Sequence, residues 1–240
     1  MLNVRRSNER GHANHGWLDS FHSFSFADYY DPQQMGFSDL RVINEDRVAG
    51  GQGFGRHPHR DMEIVTYVVS GALEHQDSLG NRSVLSAGEV QRMTAGSGIL
   101  HSEFNHSSTD EVHLLQIWIL PEASKLTPGY EQKATSTISG EKTLKLVIGK
   151  GASNGALHIN QQAELYVSEL STGESFDLSL SSNQWPADAW VQLVKGELTV
   201  STKSGRETLH SGDGLAVTGE EHITAQGSEN SLALVFKLRR

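Results

Sequence analysis

The strongest constraint on this 240-residue chain is that its two halves carry the same rhythm of short apolar runs closed by glycine. Glu63-Ile64-Val65-Thr66-Tyr67-Val68-Val69 runs into Ser70-Gly71, and Trp190-Val191-Gln192-Leu193-Val194-Lys195 runs into Gly196. Gly80 is matched by Gly205 and Gly88 by Gly212, so the three glycines recur at offsets of 125, 125 and 124 residues. The run His113 to Leu120, stopped by Pro121, has its counterpart in Ser231 to Phe236. A long fixed period of this kind marks a duplicated unit. The runs are short, rich in β-branched and aromatic residues, and separated by glycine turns at the spacing of sandwiches and barrels. Ala72 to Asp77, Arg82 to Leu85 and Glu89 to Thr94 read as further strands, Leu40 to Val48 as a weakly alternating one, and no segment sustains a 3.6-residue period. The expected fold is all-β, two copies of a small barrel. Their connection is placed in the Ser/Thr/Gly/Lys-rich stretch from about Pro121 to Gly155.

Composition narrows the function classes. Cysteine is absent, which excludes disulfides, thiolate nucleophiles, iron–sulfur clusters and cysteine-based zinc sites. Twenty Lys+Arg against twenty-nine Asp+Glu give a formal charge of −9, and the only basic run is Arg239-Arg240, which argues against nucleic acid as a direct partner. Met1 to Asn14 is polar and no segment reaches the roughly 18 apolar residues of a membrane span. A soluble, cytoplasmic protein with no membrane association is expected.

Histidine is where the chemistry concentrates. Nine of the twelve lie in the first 113 residues, among them His57-Pro58-His59 and, 42 residues after His59, His101-Ser102-Glu103. Side chains at i and i+2 of a strand share a face, so each pair can aim both members into a barrel. Three imidazoles and one carboxylate suit a divalent first-row metal, and four protein ligands leave open positions for chemistry at the ion.

The surrounding residues resemble a known family. Gly51-x5-His57-x-His59-x3-Glu63-x7-Gly71 and Gly88-x5-Thr94-Ala95-Gly96-Ser97-Gly98-x2-His101-x3-Asn105 are similar to the two cupin motifs. Their departures are a seventh spacer before Gly71, Thr-Ala-Gly where cupins carry Pro-x-Gly, and two extra residues before His101. These are the departures of the pirin family. Gly11-His12-Ala13, Trp17-Leu18, Ser20 to Phe26, Leu40 to Asn44, His57 to Glu63 and Thr94 to Glu103 agree with it. The resemblance is close over roughly residues 1–130 and mainly architectural afterwards. Tyr29-Tyr30-Asp31-Pro32 and Tyr130-Glu131-Gln132 further resemble segments of bacterial pirin-like quercetinases of about this length.

The resemblance implies a bicupin of two double-stranded β-helix (jelly-roll) barrels. Residues 1–130 would form the metal-binding cupin and residues 131–240 a degenerate cupin without a metal site. The implied metal ligands fall on His57, His59, His101 and Glu103. The implied ion is Fe(II), with Mn, Co, Ni and Cu as alternatives for the same donors. The implied activity is a quercetin 2,3-dioxygenase, taking a flavonol and O2 and releasing carbon monoxide, with Glu103 as catalytic base for the 3-hydroxyl proton. Two other readings use the same ligands: an iron-dependent redox-sensing regulator that binds a protein partner such as a transcription factor or metabolic enzyme, and another cupin activity such as a sugar-phosphate isomerase. A monomer is expected, because capped barrels leave few open edges.

The remaining expectations are local. Glu63 or Gln116 would hydrogen-bond a ligand imidazole. Phe54, Met62 and Phe104 flank the ligand strands and would either line an apolar substrate cavity or, in the favoured reading, pack in the core. Ser20 to Phe26 would add a strand that covers the barrel without joining the site, and His12 and His15 would be structural or exposed. His75, His106 and His113 would lie near the motifs in sequence only. In the second copy the stretch matching His57 and His59 is Ser182 to Asp188, which holds no His-x-His, and His222 with Thr224 would stand where His101 and Glu103 stand in the first.

Overall fold

Glu63–Ser70 is buried along six consecutive residues, which places it at the centre of a sheet with both faces covered. The computed structural model describes residues 1–151, 153–181 and 185–240, and within them this strand lies between Glu89–Thr94 and Val112–Ile119, antiparallel to each. The sheet continues to seven strands in the order Gly129–Ala134, Glu89–Thr94, Glu63–Ser70, Val112–Ile119, Leu40–Val48, Leu18–His22, Gly11–Asn14. A four-stranded sheet, Gly53–His59, Ile99–Asn105, Ala72–Asp77, Arg82–Ser86, packs against it. The two share an apolar cluster that joins Val48, Val68, Val112 and Leu114 of the first to Leu73 and Leu85 of the second.

The C-terminal half builds the same pair of sheets. One has the order Leu2–Arg5, Gly214–Val217, Ala187–Lys195, Ser231–Arg239, Ala163–Leu170, Lys145–Gly149; the other is Ser175–Ser179, His222–Gly227, Glu197–Thr202, Gly205–His210. The four central strands of each larger sheet and all four of each smaller one follow the same order in both units, so the duplication read from the glycines is a duplication of topology. The paired turns explain those glycines. Gly71 has φ +78° and Gly196 φ +89°, and an added Cβ would come within 2.9 Å of the Glu111 carbonyl or 2.4 Å of the Asn230 carbonyl.

The two units are not cut at residue 130. One comprises residues 11–137 and 157–161, the other residues 1–10, 138–156 and 162–240. Leu2–Arg5 pairs in register with Gly214–Val217, and Arg6 Nη1 donates to Asp213 Oδ2 at 2.9 Å, which ties the N-terminus to the C-terminal sheets. In return, Arg92 Nε donates to the His158 carbonyl at 2.7 Å, and Asn160 Nδ2 donates to Glu63 Oε1 at 3.1 Å. The presumed connection at residues 121–155 itself holds the strands Gly129–Ala134 and Lys145–Gly149. Gly129–Ala134 is a half-buried edge strand, Gly-Tyr-Glu-Gln-Lys-Ala, with no apolar alternation to betray it. Among the described residues, helix is confined to the 3-10 turns Ser7–Glu9 and Thr135–Thr137, and none is long and apolar enough to cross a membrane.

Candidate metal centre

Gly53–His59 and Ile99–Asn105 are antiparallel neighbours that pair His57 with His101 and His59 with Ile99. The alternation of the first strand and this register bring three imidazoles together. The ring centroids of His57, His59 and His101 are 4.5–4.8 Å apart, and their candidate donor atoms all lie within 4.8 Å of one another. His57 Nδ1 is 2.7 Å from the Gly55 carbonyl, which leaves its Nε2 facing His101 Nε2 at 3.1 Å. Burial, reinforced by repulsion from neighbouring rings, pushes the pKa of His59 and of His101 down to about 4, so both are neutral, with a lone pair to offer, at neutral pH.

Glu103 joins this set through His101. It stands directly opposite His75 of Ala72–Asp77, and His75, His101 and Glu103 form a second group whose donor atoms also lie within 4.8 Å of one another. Both Glu103 oxygens accept amide hydrogen bonds: Oε1 from Gln91 Nε2 at 2.6 Å and Oε2 from Gln116 Nε2 at 2.6 Å, with Thr66 Oγ1 a further 3.4 Å donor to Oε1. Burial opposes its charge, yet His75, His101 and Gln91 together hold its pKa down at about 2. Such a carboxylate is a ready ligand and a weak base.

The donor set fits a divalent ion. Adjacent ligands about 2.1 Å from an ion and at right angles to each other lie about 3.0 Å apart, close to the His57–His101 separation. Nδ1 of His101 is buried without a hydrogen-bond partner, so the cluster is incomplete as a purely hydrogen-bonded core. Neutral imidazoles beside an anionic carboxylate are the donors that first-row divalent metals take.

Comparison with known proteins agrees with this geometry. Residues 3–119 match the pirin family model and residues 146–238 match that of the quercetinase C-terminal cupin domain. The quercetin 2,3-dioxygenase of Escherichia coli (strain K12) is 49% identical over 240 residues, covering 99% of each chain. This chain belongs to the pirin family. Among solved structures, the bacterial pirin YhhW from Escherichia coli in complex with nickel(II) aligns with a TM-score of 0.91 at 48% identity, over 100% of this chain and 99% of that one. A quercetin 2,3-dioxygenase from Acinetobacter baumannii, at 23% identity and a TM-score of 0.79 over 99% of this chain and 85% of that one, shares the fold. The pirin described here is thus a bicupin, and its N-terminal cupin carries two histidine-rich groups that could hold a metal ion.

A cavity of about 400 Å³ opens from the three imidazoles, within the size range of small-molecule sites. Phe26, Phe54 and Trp118 supply aromatic wall, with the Trp118 ring 5.0 Å from that of His59 and 5.5 Å from that of Phe26. Several expectations change here. Leu18–His22 is indeed an added strand, but Ser20, His22 and Phe26 line the cavity, as do His12 and His15, because Gly11–Asn14 and Leu18–His22 extend the seven-stranded sheet beyond Leu40–Val48 and bring this segment to the cavity wall. Phe54 lines the cavity, Met62 packs against a core cluster, and Phe104 is exposed. Glu63 reaches no imidazole: it accepts from Thr94 Oγ1 at 3.1 Å and from Asn160. Gln116 serves the carboxylate rather than a histidine. His75 belongs to the cluster, brought there by cross-strand pairing that strand parity alone does not disclose. His106 and His113 pair instead with Glu74 and Glu45.

The C-terminal cupin of this pirin replaces the whole cluster with hydrocarbon. Leu178 pairs with Ile223 as His57 pairs with His101, and Val200 pairs with Ala225 as His75 pairs with Glu103. Leu180, two residues on from Leu178, takes the place of His59, and all five side chains are buried in one apolar cluster. His222 and Thr224 are one register step off the expected positions; they bond Asp177 at 3.1 and 2.7 Å on the outer face. Of the expected matching stretch Ser182 to Asp188, residues 182–184 lie outside the described residues.

Proposed function

We propose that this pirin is a metal-dependent dioxygenase that opens flavonols such as quercetin with O2, using His57, His59, His101 and Glu103 as the metal ligands. The observation that carries this reading is a cluster of three imidazoles, linked through His101 to a buried anionic carboxylate, all four lining an aromatic-walled cavity. The full-length 49% identity to a quercetin 2,3-dioxygenase supports the substrate class. Bound there, a divalent ion, which we assign as Fe(II), supplies Lewis acidity toward a substrate hydroxyl and a redox-active partner for O2.

The chain's own contribution is positioning. Phe26, Phe54 and Trp118 give a planar polyphenol flat aromatic surface and exclude water from it. Gln91 and Gln116 hold Glu103 by both oxygens, so the carboxylate keeps one orientation and remains anionic at any working pH. The low pKa values of His59 and His101 keep them unprotonated through the neutral range.

The test is flavonol consumption in air, followed by absorbance, with protein stripped of metal and reloaded with ferrous iron, and His101→Ala as control. Turnover that disappears in the variant is expected. A protein holding one iron per chain that leaves flavonols unchanged overturns the reading.

A further inference from the structure

The cavity holds a second buried carboxyl that the metal reading does not use. Asp46 lies on Leu40–Val48, paired across the sheet with Ser20 of Leu18–His22. Its Oδ1 accepts a short hydrogen bond from Ser20 Oγ, and Ser20 Oγ is 2.9 Å from His22 Nε2. Asp46, Ser20 and His22 are 3%, 3% and 4% exposed, yet all three line the cavity into which the imidazoles and Glu103 project. Ser20 is the hydrogen-bond partner of the carboxyl, and no cation among the described residues pairs with it. One donor order suits the chain: His22 Nε2–H donates to Ser20 Oγ, Ser20 Oγ–H donates to Asp46 Oδ1, and Oδ2 is left for an incoming proton.

The contrast with Glu103 is sharp. Glu103 accepts hydrogen bonds from two carboxamides and a hydroxyl and gains little from a proton. Asp46 is pushed up to about 7, by burial first, with the Ser20 bond opposing and the charges of Glu103 from Ile99–Asn105 and Glu45 on its own strand adding to the rise. Across the sheet, His22 is joined to it through Ser20, and Asp28 and the histidines line the same cavity. Two carboxyl groups in one cavity with surroundings that drive their proton affinities apart are the arrangement by which one site divides ligand work from acid–base work.

We propose that Asp46, not Glu103, accepts the proton of the flavonol hydroxyl, with the Ser20–His22 chain holding its carboxylate ready on the cavity wall. This rests on the dioxygenase reading. In the step, the substrate O–H bond breaks, its electron pair stays on the flavonol oxygen, and the proton goes to Asp46 Oδ2. The proton returns to the ring-opened product, so the carboxyl ends each turnover as it began. Ser20 and His22 are positioning residues.

The experiment uses iron-loaded full-length protein in two measurements. Flavonol is bound without O2 and its ionisation is followed by absorbance against pH; turnover in air is then measured over the same range. In wild type, flavonol is expected to ionise on binding, and turnover to rise through about pH 7 as Asp46 loses its proton. Asp46→Asn is expected to keep its iron, to require a pH at least about tenfold lower in proton concentration for the same ionisation, and to lose kcat by about 100-fold or more. Ser20→Ala, which removes the bond that lowers the Asp46 pKa, is expected to move the acid limb of the turnover profile to higher pH with a smaller loss, and it decides the matter if Asp46→Asn does not fold. An Asp46→Asn protein with kcat within about threefold of wild type and an unshifted ionisation curve overturns the proposal and leaves the dioxygenase reading standing, as does an unmoved acid limb in Ser20→Ala. Absence of turnover in iron-loaded wild type overturns both.

Discussion

His75 stands directly opposite Glu103 on the neighbouring antiparallel strand, both side chains buried, with His75 Nδ1 3.9 Å from Glu103 Oε1 and His75 Nε2 3.3 Å from Asp77 Oδ2. Tyr130 stacks on the same ring at 4.5 Å. Burial disfavours a charged ring, but Glu103 and Asp77 on its two sides raise its pKa, so His75 gives Glu103 a fixed positive-leaning neighbour. A partner of this kind orients a ligating carboxylate without binding the ion itself. His75→Ala is therefore expected to weaken iron retention by about 10- to 100-fold, read by competition with a chelator. His75→Gln, which keeps a donor, is expected to recover part of the loss. Equal retention in His75→Ala and wild type would refute the role.

The two buried cavity carboxyls, Glu103 and Asp46, have opposite effects on stability. Glu103 has a folded pKa below its unfolded value, so its contribution is present above about pH 4.5 and is lost as pH falls toward 2. Asp46 has a folded pKa raised from 3.8 to about 7, so its contribution is present at acid pH and is lost as pH rises through 7, where a buried charge must form. Asp46→Asn removes that ionisation. Thermal melts of the apoprotein should show the variant more stable than wild type at about pH 8, by a few kcal/mol at roughly 1.4 kcal/mol per pKa unit, and close to wild type at about pH 4. A variant equally destabilised at both pH values would show that the Asp46 carboxyl is ionised without cost.

His59 and His101 are held near pKa 4, so protons compete weakly for their nitrogens at neutral pH. Metal affinity should then change little between about pH 6 and 8 and fall steeply below about pH 5, as protonation of the packed rings sets like charges a few ångströms apart. Metal content after equilibration at each pH reads this directly. A steep loss already at pH 7 would mean that the rings are solvated in the apoprotein.

Much of this was readable from residue order, for reasons of period. The recurrence of Gly71 at Gly196 reports a turn that only glycine makes without a clash, and His57 with His59 report one face of a strand. What escaped depends on register between distant strands. Nothing local in Ala72 to Asp77 says that His75 faces Glu103, and nothing in Leu18 to His22 says that Ser20 meets Asp46. The single-step error at His222 has the same origin: alternation fixes which residues share a face, and only pairing with Leu178 shows that Ile223, not His222, points inward.

That inward position gives the last prediction. Ile223 occupies in the C-terminal cupin the place of His101, fully buried with Leu178, Leu180, Val200 and Ala225 around it. Val191, Leu215 and Val235 stand where Thr66, Gln91 and Gln116 support Glu103 in the other cupin. Ile223→His would bury an imidazole with no donor or acceptor in reach, at a cost of about 2–5 kcal/mol, and would bring no second ion because one nitrogen among hydrocarbons is not a site. Iron stoichiometry should stay at that of wild type while the melting temperature falls. Metal uptake by the variant beyond wild type would mean that the C-terminal barrel retains donors that its buried apolar cluster does not account for.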